Sequence, residues 1–182
     1  NTNATRAHSR PAHIRCGFPT GSRPNARQGE PVVMSSRDGF TFKRWAKPVI
    51  PRTAPKDRDG NRSNYMANAL VQLPGDDRHY SVYGTEAYYA GPDSRLRRFV
   101  YRVDGFVSLQ ADKGGGQVVT KPVTFKGNEL EVNFTTSDGG VVRVELLDEK
   151  GKPIDGFSFA ECQPLSGDSI DMNVKWKATK NS

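Results

Sequence analysis

Cysteine is scarce, with only Cys16 and Cys162 near opposite ends of the 182 residues. No disulfide framework or paired-cysteine metal or redox motif can be built from that spacing. Histidine is equally sparse: His8, His13 and His79 supply no pair at helical or strand spacing within a region expected to fold. A zinc site is therefore disfavoured, and no cofactor is expected. No apolar run approaches the ~20 residues a membrane-spanning helix needs. The N-terminus lacks the hydrophobic centre of a signal peptide, so no membrane partner is expected and localisation stays open. The hydrophobic share is 35%, low for a chain of this length that packs throughout. Part of it is expected to lie outside any core.

What is plentiful is positive charge, a formal +7 overall. Residues 1–30 carry Arg6, Arg10, Arg15, Arg23 and Arg27 against Glu30 alone, a net +4. That segment is rich in Asn, Thr, Ser, Pro and Gly and shows neither a period of two nor one of 3.6. It reads as a disordered basic tail. It also lacks a dense cationic run with interleaved aromatics, so nucleic acid is not the expected partner.

Beyond it the chain reads as all-β. Val32-Val33-Met34-Ser35 and Phe40-Thr41-Phe42-Lys43-Arg44-Trp45 flank Arg37-Asp38-Gly39. That pattern predicts a hairpin with Asp-Gly at its turn, so Asp38 is assigned a structural role. Residues 47–63 form a long proline-containing loop. Strands over 67–73, 79–84 and 96–103 then make a meander, with Pro74-Gly75-Asp76-Asp77 as its first turn. Alternation puts Arg95 and Arg97 on the face opposite to Arg98 and Arg102. Residues 117–125 are expected to form an edge strand, since Pro122 cannot donate to a sheet interior.

The cleanest patterning comes last. Leu130, Val132 and Phe134, then Val142, Val144 and Leu146, then Ile170, Met172, Val174 and Trp176 alternate with polar residues. Such alternation predicts half-buried antiparallel strands. Ser137-Asp138-Gly139-Gly140 and Asp148-Glu149-Lys150-Gly151 supply residues that tolerate tight turns.

These residues carry a resemblance. Leu96-Arg97-Arg98-Phe99-Val100-Tyr101-Arg102-Val103-Asp104-Gly105-Phe106-Val107-Ser108-Leu109 resembles the join between last blade and sandwich in certain bacterial glycoside-hydrolase-like proteins. Their five-bladed propeller is of the invertase and arabinanase type. The similarity extends through Val119-Thr120-Lys121-Pro122-Val123-Thr124-Phe125 and Gly156-Phe157-Ser158-Phe159-Ala160-Glu161-Cys162 to Val174-Lys175-Trp176-Lys177. The resemblance implies a terminal blade plus a hairpin over 31–103, an incomplete propeller packed on a C-terminal antiparallel β-sandwich over 104–178. A complete member has several blades ahead of this point, and those blades contribute most of the acid and base carboxylates. The chain is thus expected to be a C-terminal accessory portion of a larger protein, not catalytic alone. A stand-alone carbohydrate-binding module is one alternative. The other is a structural β domain whose open blade edge is completed by a partner chain or a second copy.

Glycoside hydrolysis needs two facing carboxylates. Glu86, in Gly84-Thr85-Glu86-Ala87-Tyr88-Tyr89, is the single inward-facing candidate in the blade, and a polar strand end explains it equally. Tyr88 and Tyr89 are of the kind that stacks on sugar rings. Arg62, Asn64 and Tyr65 stand where the long loop enters the meander, and their polar groups suit sugar hydroxyls. Turn capping and loop hydrogen bonding serve Asn64 as well, and packing serves Tyr65. Glu161-Cys162-Gln163 has no adjacent histidine, so a nucleophilic cysteine has no support.

Overall fold

The computed structural model describes residues 5–7, 14–23, 28–51, 63–67, 70–86, 92 and 94–177. All its regular elements are strands paired antiparallel, in several sheets. Among the described residues no helix is long and apolar enough to cross a membrane. The chain divides into two compact units, Asn1–Ser108 and Leu109–Ser182. The break thus falls after Ser108 and not between residues 103 and 104.

In the first unit, β1 (Thr5–Ala7), β2 (Arg15–Gly17), β3 (Thr20–Arg23), β4 (Gln28–Ser36) and β5 (Lys43–Pro48) make one five-stranded sheet. The long β4 is its spine. It pairs β3 through Gln28 to Pro31, β2 through Met34 to Ser36, and β5 from Val32 to Ser35. The expectation of disorder over 1–30 is therefore corrected for the described part of that segment. Its strands are three or four residues long, too short for a period to show in sequence. They are ordered by their neighbours, as the hydrogen bond from Val32 N to Pro19 O (3.0 Å) illustrates. Cys16 is buried there, and burial, then the Asp104 carboxylate, pushes its thiol pKa up.

The hairpin from β4 to β5 forms around Asp38 as its residues predict. Asp38 Oδ1 accepts from the Ser36 hydroxyl and from the Phe40 and Thr41 N–H groups at 2.7–2.8 Å. These bonds hold its pKa far below the ordinary carboxylate value. Gly39 takes the positive φ of 83° that the turn requires.

A second sheet of the same unit runs β6 (Tyr65–Met66), β7 (His79–Glu86) and β8 (Arg95–Arg102) in that order. The meander forms, but its first strand is Tyr65–Met66, and none of the described residues of 67–73, the range read from sequence, lies in a strand. Val71 touches Ser81 only as an isolated bridge. β7 and β8 pair without a slip from His79–Arg102 to Glu86–Arg95. Val82, Tyr80, Ile50 and Val103 are almost fully buried. Tyr101 donates its hydroxyl to Val49 O at 3.1 Å, and burial pushes its pKa up to about 12.

In the second unit, β9 (Glu131–Thr135) pairs β10 (Asp168–Asn173). β9 alternates cleanly between exposed and half-buried residues. β10 does not, because one extra residue between Ser169 and Met172 breaks the register. Met172 is accordingly 38% exposed while Val174 and Trp176 are buried. Val142, Val144 and Leu146 form no regular strand. They reach the core through the Val142–Leu165 bridge and the Leu146 N–H bond to Phe157 O at 3.0 Å. Trp176 closes this core, packed edge-on to Phe157 with centroids 5.2 Å apart and donating Nε1–H to Val144 O at 3.1 Å.

The strand expected over 117–125 is not there. Those residues are exposed and in no ladder, and alternation alone cannot supply a partner strand.

Candidate functional site

Sheet register decides what surrounds Glu86. A regular antiparallel pair sets directly opposed residues on the same face, and Glu86 is opposed by Arg95 on β8. Two residues on, Arg97 returns to that face. Glu86 Oε2 lies 3.3 Å from Arg95 Nε, and Oε1 lies 2.5 Å from Arg97 Nε. The Glu86 side chain has no accessible surface, while Arg95 and Arg97 remain 48% and 39% exposed. A buried carboxylate is costly unless it is paired. Here the two guanidiniums supply the pairing and keep their outer edges in water.

Asn64 and Ser63 join the same end of the sheet. Tyr65 opposes Thr85, so continuing that register by one residue sets Asn64 across from Glu86. Asn64 is 1% exposed; its Nδ2 donates to Pro51 O at 3.2 Å, and its backbone N–H donates to Gly29 O at 3.0 Å. Ser63 Oγ accepts the Gly29 N–H at 3.0 Å. Gly29 belongs to β4, so these bonds tie the two sheets of the first unit together. A side chain at position 29 would meet Thr20 Cγ2 at 2.7 Å. Tyr65 is half-buried with its hydroxyl close to Gly29. The nearby Glu30 is also buried, at 7% exposure.

Of the residues singled out in sequence, Glu86, Asn64 and Tyr65 are thus brought to one end of one sheet. Arg62, Tyr88 and Tyr89 lie outside the described residues. Sequence reading did not connect Glu86 with Arg95 and Arg97, although it separated these arginines correctly from Arg98, whose Nε instead donates to Ser81 Oγ at 2.9 Å. The signal lay in the β7–β8 register, which sequence alone does not supply. Glu30 and Ser63 carried no signal, since a single polar residue beside a loop says nothing about burial.

Chemically, the cluster is a buried anion paired with two cations. Glu86 is the only carboxylate within β6, β7 and β8. Among the described residues, no group of three His, Cys, Asp or Glu side chains is placed to hold a metal ion. Cys162 is buried in the other unit, its Sγ accepting the Val144 N–H at 3.3 Å. No family model matches this chain, and no curated protein or solved structure matches it.

Proposed function

We propose that this chain is the C-terminal accessory portion of a glycoside-hydrolase-like protein. In this reading β6, β7 and β8 belong to a terminal propeller blade, and the second unit is a β-sandwich that supports a carbohydrate-active parent. One observation carries the non-catalytic part of the reading. Glu86 is the only carboxylate in the three strands, and it is sealed from solvent between Arg95 and Arg97. A glycosidic acid must reach the scissile oxygen and exchange a proton with it. Glu86 instead neutralises two cations within the sheet.

The test is turnover by the purified chain on aryl glycosides and on plant and bacterial polysaccharides. No hydrolysis is expected, and Glu86→Gln should change nothing in that assay. Hydrolysis that disappears in Glu86→Gln would overturn the reading. A second reading, a β domain completed by another chain, is favoured by β8. That strand pairs only β7 among the described strands and leaves Leu96 and Val100 66% and 52% exposed. A stable monomer in light scattering across the micromolar range would count against it.

A further inference from the structure

The least explained segment of the described chain is the arm that opens the second unit. Val118, Val119, Val123 and Phe125 are 63%, 65%, 67% and 76% exposed. Among the described residues, no hydrogen bond engages the backbone of 117–125. The nearest order is the turn at its base, where Gly115 N–H donates to Asp112 O at 3.0 Å and Gly114 N–H to Asp112 Oδ1 at 2.9 Å. Yet valine, threonine and phenylalanine are the residues that favour a pleated, half-buried strand. The residue before Pro122 is itself biased towards extended backbone. The arm thus has strand chemistry and no sheet.

We propose that residues 117–126 are a docking strand that adds to an acid-bearing sheet edge of another protein. Two features define the partner. Pairing must be one-sided, because in an extended strand successive N–H groups point to opposite edges. The N–H groups of Val119, Lys121, Val123 and Phe125 line one complete edge. The other edge is broken by Pro122, which has no N–H to give. The arm therefore pairs through its odd-numbered residues and leaves the proline edge to solvent. Charge sets the second feature. Lys113, Lys121 and Lys126 lie between residues 113 and 126 with no acidic residue among them. Lys121 falls on the same face as Val119, Val123 and Phe125, so the partner strand places a carboxylate opposite it between apolar residues. Cross-strand pairs of opposite charge are favourable and like pairs are not. The same rule disfavours a second copy's arm, which brings lysine, and its β8, which brings Arg95, Arg97, Arg98 and Arg102. The β9–β10 sheet of a second copy, with Glu131, Asp168 and Asp171, is acidic, and the dimer measurement below separates it from another protein.

The test uses the full chain and two synthetic ten-residue strand peptides, one alternating valine with glutamate and the other valine with lysine. Binding is read by fluorescence anisotropy, and amide exchange by NMR. The glutamate peptide should bind at least about tenfold more tightly than the lysine peptide. It should protect the N–H groups of Val119, Lys121, Val123 and Phe125 but not those of Val118, Thr120 and Thr124. Val119→Pro should weaken binding at least about tenfold and Val118→Pro by no more than about twofold, because only the former removes a donor from the pairing edge. Both positions are exposed, and unchanged resonances around Trp176 verify that each variant keeps its core. Equal affinity for the two peptides, no binding of the glutamate peptide, or protection of the even-numbered set would each overturn the proposal. So would a dimer in light scattering that Val119→Pro abolishes, since the occupant would then be a second copy.

Discussion

The two units solve the same problem, burying a few apolar side chains behind a β framework, by different means. In the first, the β7–β8 ladder is unbroken and Val82, Tyr80 and Val103 are almost fully buried. In the second, regular pairing is confined to β9 and β10, and the core around Trp176 is assembled from isolated bridges, turns and side-chain hydrogen bonds. Asp148 Oδ1 accepts the Lys150 and Lys152 N–H groups at 2.9 Å, and Glu161 Oε2 accepts the Ser158 N–H and hydroxyl at 3.0 and 2.7 Å. Those Ser158 bonds lower the Glu161 pKa below its ordinary value. The first unit thus rests on a continuous ladder, whereas the second rests on side-chain packing around Trp176, with Cys162, Leu165 and Val174 buried beside it.

The largest effect expected from that contrast is at Trp176. Trp176→Ala should cost about 3–5 kcal/mol, the range for emptying a buried aromatic site. Hydrogen exchange should then rise sharply over 130–176 while the amides of β7 and β8 keep their protection. Loss of protection in both would show that the units unfold as one, and the contrast would fail.

Glu86 offers the next largest change, this time in the ladder-built unit. Removing one partner of a buried ion pair costs about 3–5 kcal/mol. Arg95 and Arg97 are about half exposed, so water can take up their released charge and the expected loss for Glu86→Ala falls to about 2 kcal/mol. Denaturant titration followed through β7 and β8 amides measures it. A change under about 0.5 kcal/mol, the usual scatter for surface positions, would mean that the arginines do not hold this sheet end.

The smallest change should come at Tyr101, and it is a test of pH. Its folded pKa is about 12 against an ordinary 10.0. A raised pKa gives stability that is fully present below the unfolded value and is lost as pH rises through the folded one. The first unit should therefore weaken between pH 10 and about 12. Tyr101→Phe should lower neutral-pH stability by about 1 kcal/mol through the lost bond to Val49 O. It should also flatten the alkaline slope. Unaltered alkaline behaviour would place the titrating group elsewhere.

Much of the fold was legible locally. The Asp38-Gly39 hairpin, the Pro74-Gly75 turn and the Gly151 turn were readable because a turn needs only its own residues, and Gly39, Gly75 and Gly151 take positive φ. β9 was readable because its alternation and its burial coincide. The first thirty residues were not, since strands as short as Arg15–Gly17 carry no period and gain order only from β4. The candidate site was half legible. Glu86 stood out as a carboxylate beside aromatics, but its environment depends on which β8 residues come to face it.

By itself the sequence determined the all-β class, the positions of the tight turns, the separation of Arg95 and Arg97 from Arg98, and a proline that leaves only one edge of the 117–126 arm able to donate throughout. These are consequences of backbone geometry and a period of two, which act over a few residues. Only the tertiary structure decided that Glu86 is an enclosed anion, that Cys16 lies inside a sheet, and that Val119, Val123 and Phe125 stay uncovered. Burial is a property of what arrives from elsewhere in the chain. A single strand's pattern can state that it wants a partner, but cannot supply one.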